Sequence, residues 1–304
     1  MANLLRVALP SGTLYPRCCM HIKEAGYDVL DTPDRTGECG ICNGIQFIQV
    51  NRRMVPRFVA SGYVDAGITG QDIYVNSGLQ LNEYCELPFA KQSDRPSRWV
   101  LAALPDFEMG RSVLNSRQIS EQRIGPVTIG CELTKLAQKV LGSRRPPLPF
   151  DFEIVFIDGS EELAVVAGIT DLALAVTETG NSIKANGLVI LPGCDKLFES
   201  VPAIYTLNGL EPSKAVALEE LALSMQSVIG ASAFVEVEWH FHDEMDIEAL
   251  GLPADLSPTI SDLSISKWHE GKVVVPRKLY PQVVRLLKRA GATDIVRKTI
   301  QGHL

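Results

Sequence analysis

The chain has no run approaching the roughly 18 consecutive apolar residues that a membrane-spanning helix needs, and this excludes a helical membrane protein. Positive charge is in short supply. Against 36 Asp and Glu there are only 29 Lys and Arg, a net charge of −7, and the pI is near 5.4. That balance argues against a general nucleic-acid-binding surface. Cysteine is sparse, seven in 304 residues. An odd, scattered set of this kind excludes a disulfide framework and fits a reducing cytoplasm. Residues Met1 to Arg6 run straight into an apolar stretch, so no secretory signal is expected. The expected setting is cytoplasmic, with neither a membrane nor a nucleic acid as partner.

What is present is a 46% hydrophobic chain with 21% charged residues, long enough for two or three domains. Strand and helix patterns alternate. Leu4 to Leu9 reads as a strand, Pro10-Ser11-Gly12-Thr13 as its turn and Leu14 to Ala25 as a helix. Ligands of open α/β sheets bind at such carboxyl strand ends. Gly44 to Val50 is a second strand, followed by Asn51-Arg52-Arg53 and a helix from about Val55 to Ser61. Tyr63 to Asp72 reads as a strand whose Thr69-Gly70 opens another helix, a candidate anion cradle. Asp171 to Thr177 is a buried strand leading into Glu178-Thr179-Gly180-Asn181-Ser182 and a helix start at Ile183, a second cradle of the same kind. Asp158 to Glu162 offers an N-cap with acids in the first turn. Dipole partnership is the plainer role for Glu161 and Glu162 there, with catalysis the alternative. Two stretches are weakly patterned: Lys91 to Ser97, a polar crossing between domains, and Pro105 to Gln122, a surface excursion.

Cys39 and Cys42 form a C-x-x-C pair inside the polar stretch Asp31 to Asn43, but no second pair follows at zinc spacing, so no metal is assigned there. Leu188 to Leu191 and Ala203 to Leu207 are strands expected to rejoin the first domain, and Glu211 to Gly230 is a long helix. The last third reads as strand (234–239), short helix (Asp243 to Leu250), strands (259–263 and 272–275), helix (277–290) and strand (293–296). That β-α-β-β-α-β order is ferredoxin-like. His240 and His242 share one strand face beside Asp243 and Glu244, and a partly exposed polar face is the reading taken there over a metal site.

Several segments, in this order, resemble ATP phosphoribosyltransferase of the long form. These are Val64-Asp-Ala-Gly-Ile-Thr-Gly-Gln-Asp72, Gly159-Ser-Glu-Glu-Leu-Ala164, Asp171 through Gly180, Ala185-Asn-Gly-Leu188, Leu256 to Ser261 and Ala290 to Ile295. The resemblance implies two α/β domains of the periplasmic-binding-protein type around a cleft, residues 1–95 with 185–210 and residues 96–184. It adds a C-terminal ferredoxin-like (ACT-like) regulatory domain over 225–304. The implied reaction is displacement of magnesium-bound pyrophosphate from C1 of phosphoribosyl pyrophosphate by N1 of ATP. It needs no covalent nucleophile. Under this reading Glu178 and Asp171 are catalytic. Substrate contacts fall to Ser11, Gly12, Thr13, Arg53, Thr69, Gly70, Glu162, Thr179, Gly180, Asn181 and Ser182. Ser257, Thr259 and Ser261 would answer a histidine-like effector. Mg2+ is the cofactor, and a homo-oligomer, dimer or hexamer, is implied.

The chain departs from the family pattern where charge is expected. Ser11 and Thr13 stand in place of a Lys and an Arg, Ala175 in place of a second Asp, and Met54 within the segment that keeps only Arg53 and Pro56. Three readings stay open. The chain is a working enzyme with Arg52, Arg57 or Lys91 compensating, a paralogue with another acceptor or donor, or a non-catalytic regulatory protein that binds a phosphorylated ligand.

Overall fold

The computed structural model describes residues 4–89, 96–105, 107, 126–247 and 250–303. Lys91 and most of the stretches 91–97 and 105–122 lie outside them. The chain divides into two compact units, 1–20 with 27–219 and 21–26 with 220–304.

In the first unit, β1 (Leu5–Pro10) is buried along nearly its whole length, as the centre of a parallel sheet requires. Then follow α1 (Tyr15–Glu24), β2 (Glu38–Cys42), β3 (Ile45–Val50), a single 3-10 turn over 52–54, α2 (Val55–Ala60), β4 (Ala66–Gly70), α3 (Gln71–Ser77) and β5 (Asn82–Glu86). Strand β2 was not expected. It forms a hairpin with β3 across Asn43-Gly44, both at positive φ, 49° and 77°, the pair that a tight hairpin turn favours. Cys39 is buried there, its thiol held by the Tyr15 hydroxyl at 3.1 Å. Burial pushes that thiol's pKa up.

The chain continues with β6 (Ser97–Ala103), β7 (Val127–Cys131), α4 (Thr134–Ser143), β8 (Phe152–Phe156), α5 (Glu161–Val166), β9 (Leu172–Thr177), α6 (Asn181–Ala185), β10 (Val189–Ile190), β11 (Phe198–Ser200) and β12 (Pro202–Thr206). These strands complete two sheets. The first has the order β2-β3-β1-β4-β12-β5 and the second β10-β6-β9-β7-β8, with β11 also on β6. The two lobes are of the periplasmic-binding-protein type. One expectation is corrected: Val189 and Ile190 pair with Ala103 and Ala102 of the second sheet, not the first. Only β12 returns to the first sheet, inserted antiparallel between β4 and β5. Val201 alone separates β11 from β12, so the return crossing between lobes is one residue long. On another side Asn76, at the end of α3, caps the start of α4. Its Oδ1 accepts the N–H groups of Lys135 and Leu136 at 3.0 and 3.2 Å, where α4's own Leu133 offers no side-chain cap.

Helix α7 (Pro212–Ala231) carries the chain into the second unit, where β13 (Phe234–His242), β14 (Thr259–Asp262), β15 (Trp268–Pro276), α8 (Tyr280–Arg289) and β16 (Thr293–Lys298) follow. The sheet order β14-β15-β13-β16, antiparallel throughout, is that of a ferredoxin-like unit. In place of the expected helix from Asp243 to Leu250, residues 243–247 form turns and bends; 248–249 lie outside the described residues. Val235, Val237, Trp239 and Phe241 face one core with Val283 and Leu287. Trp239 lies over Gly271, where any Cβ would fall 2.2 Å from the indole. His269 sits with one ring nitrogen on Asp262 (2.9 Å) and the other on Asp243. Those carboxylates, Asp243 first, raise its pKa. Ser257, Thr259 and Ser261 are exposed, the latter two on edge strand β14.

Candidate active site

Strand β9 ends at Thr177, and the chain turns through Glu178-Thr179-Gly180 into α6. Gly180 holds φ at 81°, a left-handed conformation costing an L side chain roughly 1–2 kcal/mol. The turn is pinned from within: the Gly180 N–H donates to Thr177 Oγ1 at 2.8 Å and the Asn181 N–H to Thr179 Oγ1 at 3.4 Å. The Ser182 hydroxyl donates to Glu162 Oε1 at 3.2 Å, so Glu162 on α5 fixes where that hydroxyl points. Ser97, Val176, Thr177, Glu178, Thr179, Asn181 and Ser182 wall a cavity of about 250 Å³. No lysine or arginine is among them. Because α6 has only five residues, hydroxyls and local N–H groups, more than a helix dipole, supply its polarity.

A second cavity, of about 70 Å³, opens between the lobes and shares Ser97 and Val176 with the first. Thr13, Thr69 and Gly70 reach it, whereas Ser11 and Gly12 are not among its walls. Here the expected Thr69-Gly70 anion cradle is corrected. The first three N–H groups of α3 already have partners: Gln71 donates to Val201 O, Asp72 to Ser200 Oγ and Ile73 to Asp72 Oδ1. The Asp72 carboxylate, which also accepts the Trp99 indole N–H at 3.1 Å, adds negative charge where a phosphate would sit. Gly70 permits that arrangement, since a Cβ there would fall 2.3 Å from Asp72 Oδ1. Among the described residues Arg52 is the one basic residue lining the cavity. With its neighbour Arg53 it pairs across the cleft with Glu132, and Arg53 also pairs with Asp158. Those acids hold the Arg53 pKa above its usual value, Asp158 foremost. Arg57 is exposed on α2, outside both cavities.

Asp171 and Ala175, tied to the loop by sequence, lie away from it. Asp171 precedes β9 and Glu178 follows it, roughly 20 Å apart along an extended strand. The Asp171 Oδ2 accepts both the N–H (2.8 Å) and hydroxyl (2.6 Å) of Thr128, tying β9 to β7. That is a structural position, and it corrects the catalytic expectation. Asp171→Ala is expected to lower stability by about 2 kcal/mol while the KM of the folded fraction stays unchanged. Urea unfolding and initial rates check this, and a raised KM at unchanged stability would restore Asp171 to the site. Ala175 is 2% exposed and packs among Val100, Val165 and Ile183. A carboxylate there would be buried in an apolar cluster. Glu161, 7% exposed, accepts the Glu132 N–H at 3.0 Å, and burial raises its pKa.

Sequence reasoning missed Thr177, Ser97, Ser200 and Glu132 as site residues. Of these Thr177 carried a signal, inside the segment from Asp171 to Gly180, as did Asp72 inside the Val64–Asp72 motif. Among the described residues no three His, Cys, Asp or Glu side chains gather to hold a metal, Cys39, Cys42, His240 and His242 included.

A polar loop at a strand end, opening onto a cleft between two α/β lobes, is where open α/β folds bind their ligands. Residues 52–227 match the ATP phosphoribosyltransferase family, and residues 232–301 match the C-terminal domain of that family. The chain belongs to the ATP phosphoribosyltransferase family, in its long form, the phosphoribosyltransferases of the first step of histidine biosynthesis. It is 29% identical to ATP phosphoribosyltransferase 1 of Geobacter sulfurreducens, covering 97% of each chain. It is 30% identical to the ATP phosphoribosyltransferase of Koribacter versatilis, covering 96% of each. A solved structure of the ATP phosphoribosyl transferase (HisG:HisZ) complex from Thermotoga maritima shares the fold. It has a TM-score of 0.58 at 23% identity, over 76% of this chain and 100% of that one.

Proposed function

We propose that this chain transfers the phosphoribosyl group of phosphoribosyl pyrophosphate to N1 of ATP. The N1 lone pair forms the bond to ribose C1 as the C1–O bond breaks, and the electron pair leaves with pyrophosphate. The observation that carries the reading is the junction of the two cavities at Ser97 and Val176. A donor whose 5′-phosphate lies on the Thr179–Ser182 loop places its C1 toward the cleft where an acceptor enters. Glu178, on the wall of the loop cavity, would stabilise the oxocarbenium character that develops at C1. Thr179, Asn181 and Ser182 would hold the 5′-phosphate, with Gly180 shaping the turn and Glu162 orienting Ser182. Thr13, Thr69 and Gly70 would line the acceptor side and Arg53 would meet pyrophosphate.

Among the described residues no cluster of carboxylates makes a resident magnesium site. Asp72 and Glu132, the carboxylates of the cleft cavity, are engaged by Trp99 and by the two arginines. In this proposal Mg2+ would be held by the donor's pyrophosphate rather than by Asp72 or Glu132, and would supply neutralising charge there. A cytoplasmic homo-oligomer answering a histidine-like effector near Ser257, Thr259 and Ser261 completes the reading.

A second reading has its own support. Among the described residues the one cation of the cleft cavity is already paired, and Leu14, Ile73, Phe89 and Leu133 make much of the wall. That wall suits an acceptor less anionic than ATP, another nitrogen nucleophile. Pyrophosphate release from phosphoribosyl pyrophosphate decides between them. Release that requires ATP is the expected result. Release only with a different acceptor would favour the second reading, and tight donor binding without release would make the chain a binding protein.

A further inference from the structure

Arg52 and Arg53 come from the turn after β3 in the first lobe, and both reach across to the second. Arg52 Nη2 donates to both carboxylate oxygens of Glu132, at 2.6 and 2.9 Å. Arg53 Nε donates to the same carboxylate at 2.8 Å, while Arg53 Nη2 pairs with Asp158. Glu132 follows β7 directly, and its side chain is only 10% exposed. Its backbone N–H is held by the buried Glu161 carboxylate. The acid is therefore fixed in the cleft wall by the chain on both sides, and its three hydrogen bonds from two guanidinium groups cross between the lobes.

A carboxylate and a phosphate oxygen offer a guanidinium the same kind of acceptor. We propose that Glu132 is a positioning residue that occupies, on Arg52 and Arg53, the place the donor's pyrophosphate takes, and so sets the affinity for the donor. An arriving pyrophosphate has to displace Glu132, and its displacement leaves Arg53 with Asp158 as the remaining pair across the lobes at this point. This rests on the proposed role of Arg53 at pyrophosphate.

The test is calorimetric titration of the full chain with inorganic pyrophosphate, comparing wild type, E132Q and E132D. Glutamine removes the charge and one acceptor oxygen, and so frees the guanidinium groups. E132Q is expected to bind pyrophosphate about tenfold tighter, the equivalent of roughly one charge-assisted hydrogen bond no longer competed for. E132D, which keeps the charge, is expected to stay within about threefold of wild type. In steady state, E132Q lowers the KM for phosphoribosyl pyrophosphate with little change in kcat. A merely structural Glu132 would show weaker or unchanged binding and a higher KM. Asp158→Asn, which releases Arg53 alone, should give about a threefold gain and serves if E132Q does not fold. Pyrophosphate binding no tighter in E132Q and Asp158→Asn than in wild type, undetectable binding included, overturns the proposal. Tighter binding without ATP-dependent turnover would uphold the latch and count against the acceptor assignment.

Discussion

Replacing Glu178 with glutamine is expected to lower kcat by about 10²-fold and to leave the KM for phosphoribosyl pyrophosphate within about threefold. Glutamine keeps the shape and much of the hydrogen bonding of Glu178 but removes its charge. The charge matters only when C1 becomes positive. At an effective dielectric near 20, a unit charge about 4–5 Å from that carbon is worth roughly 3–4 kcal/mol, enough for the expected loss even if C1 carries less than a full charge. Because the substrate ground state has no charge at C1, binding is nearly spared. Steady-state pyrophosphate release reads both constants. An unchanged kcat would remove Glu178 from the chemistry, and a raised KM with normal kcat would make it a ribose contact only.

The double variant Thr179→Ala with Ser182→Ala is expected to weaken phosphoribosyl pyrophosphate binding by about 10²-fold without disturbing the fold. Each hydroxyl offers a charge-assisted hydrogen bond to a phosphate oxygen, of about 1.5–3 kcal/mol in a binding comparison. Both side chains are exposed. The buried hydrogen bond that shapes the turn, Gly180 N–H to Thr177 Oγ1, is untouched by the substitutions. Calorimetry with the donor and a thermal melt decide the matter. Affinity equal to wild type in a protein with normal Tm would mean that the 5′-phosphate sits elsewhere.

Much of the framework was legible before the structure. The apolar run from Asp171 to Thr177 is bounded as a buried strand, and Gly180 stands where the turn needs a left-handed residue. The strand order of the last third was readable from alternation and turn residues, but where a first helix was expected residues 243–247 form turns and bends. Asn43-Gly44 was also readable as a hairpin turn, and the strand before it was missed because its polar neighbours hid it. The site was less legible. Glu132 sits 80 residues from Arg52, and Asp158 sits 105 from Arg53. Neither acid differs, in its local sequence, from an ordinary residue near a helix start. Thr69-Gly70 resembled Thr179-Gly180, but the first three N–H groups of its helix are taken by Val201, Ser200 and Asp72. Two like turns thus differ in what is left to bind an anion.

The sequence by itself determined the class of the protein: alternating strands and helices, two turns at strand ends, an appended ferredoxin-like unit and the motifs of its family. Such features arise from periodicity, turn chemistry and propensity, which act over a few residues and leave a local trace. Only the tertiary structure decided which of those residues face one another. It put β12 between β4 and β5, capped α4 from Asn76 and tied Asp171 to Thr128 of β7. It also placed Ala175 in an apolar cluster and engaged both cleft arginines with acids of the other lobe. Those outcomes depend on how two sheets pack and where the chain crosses between them. A charge in the sequence does not specify its partner until that packing brings the two together.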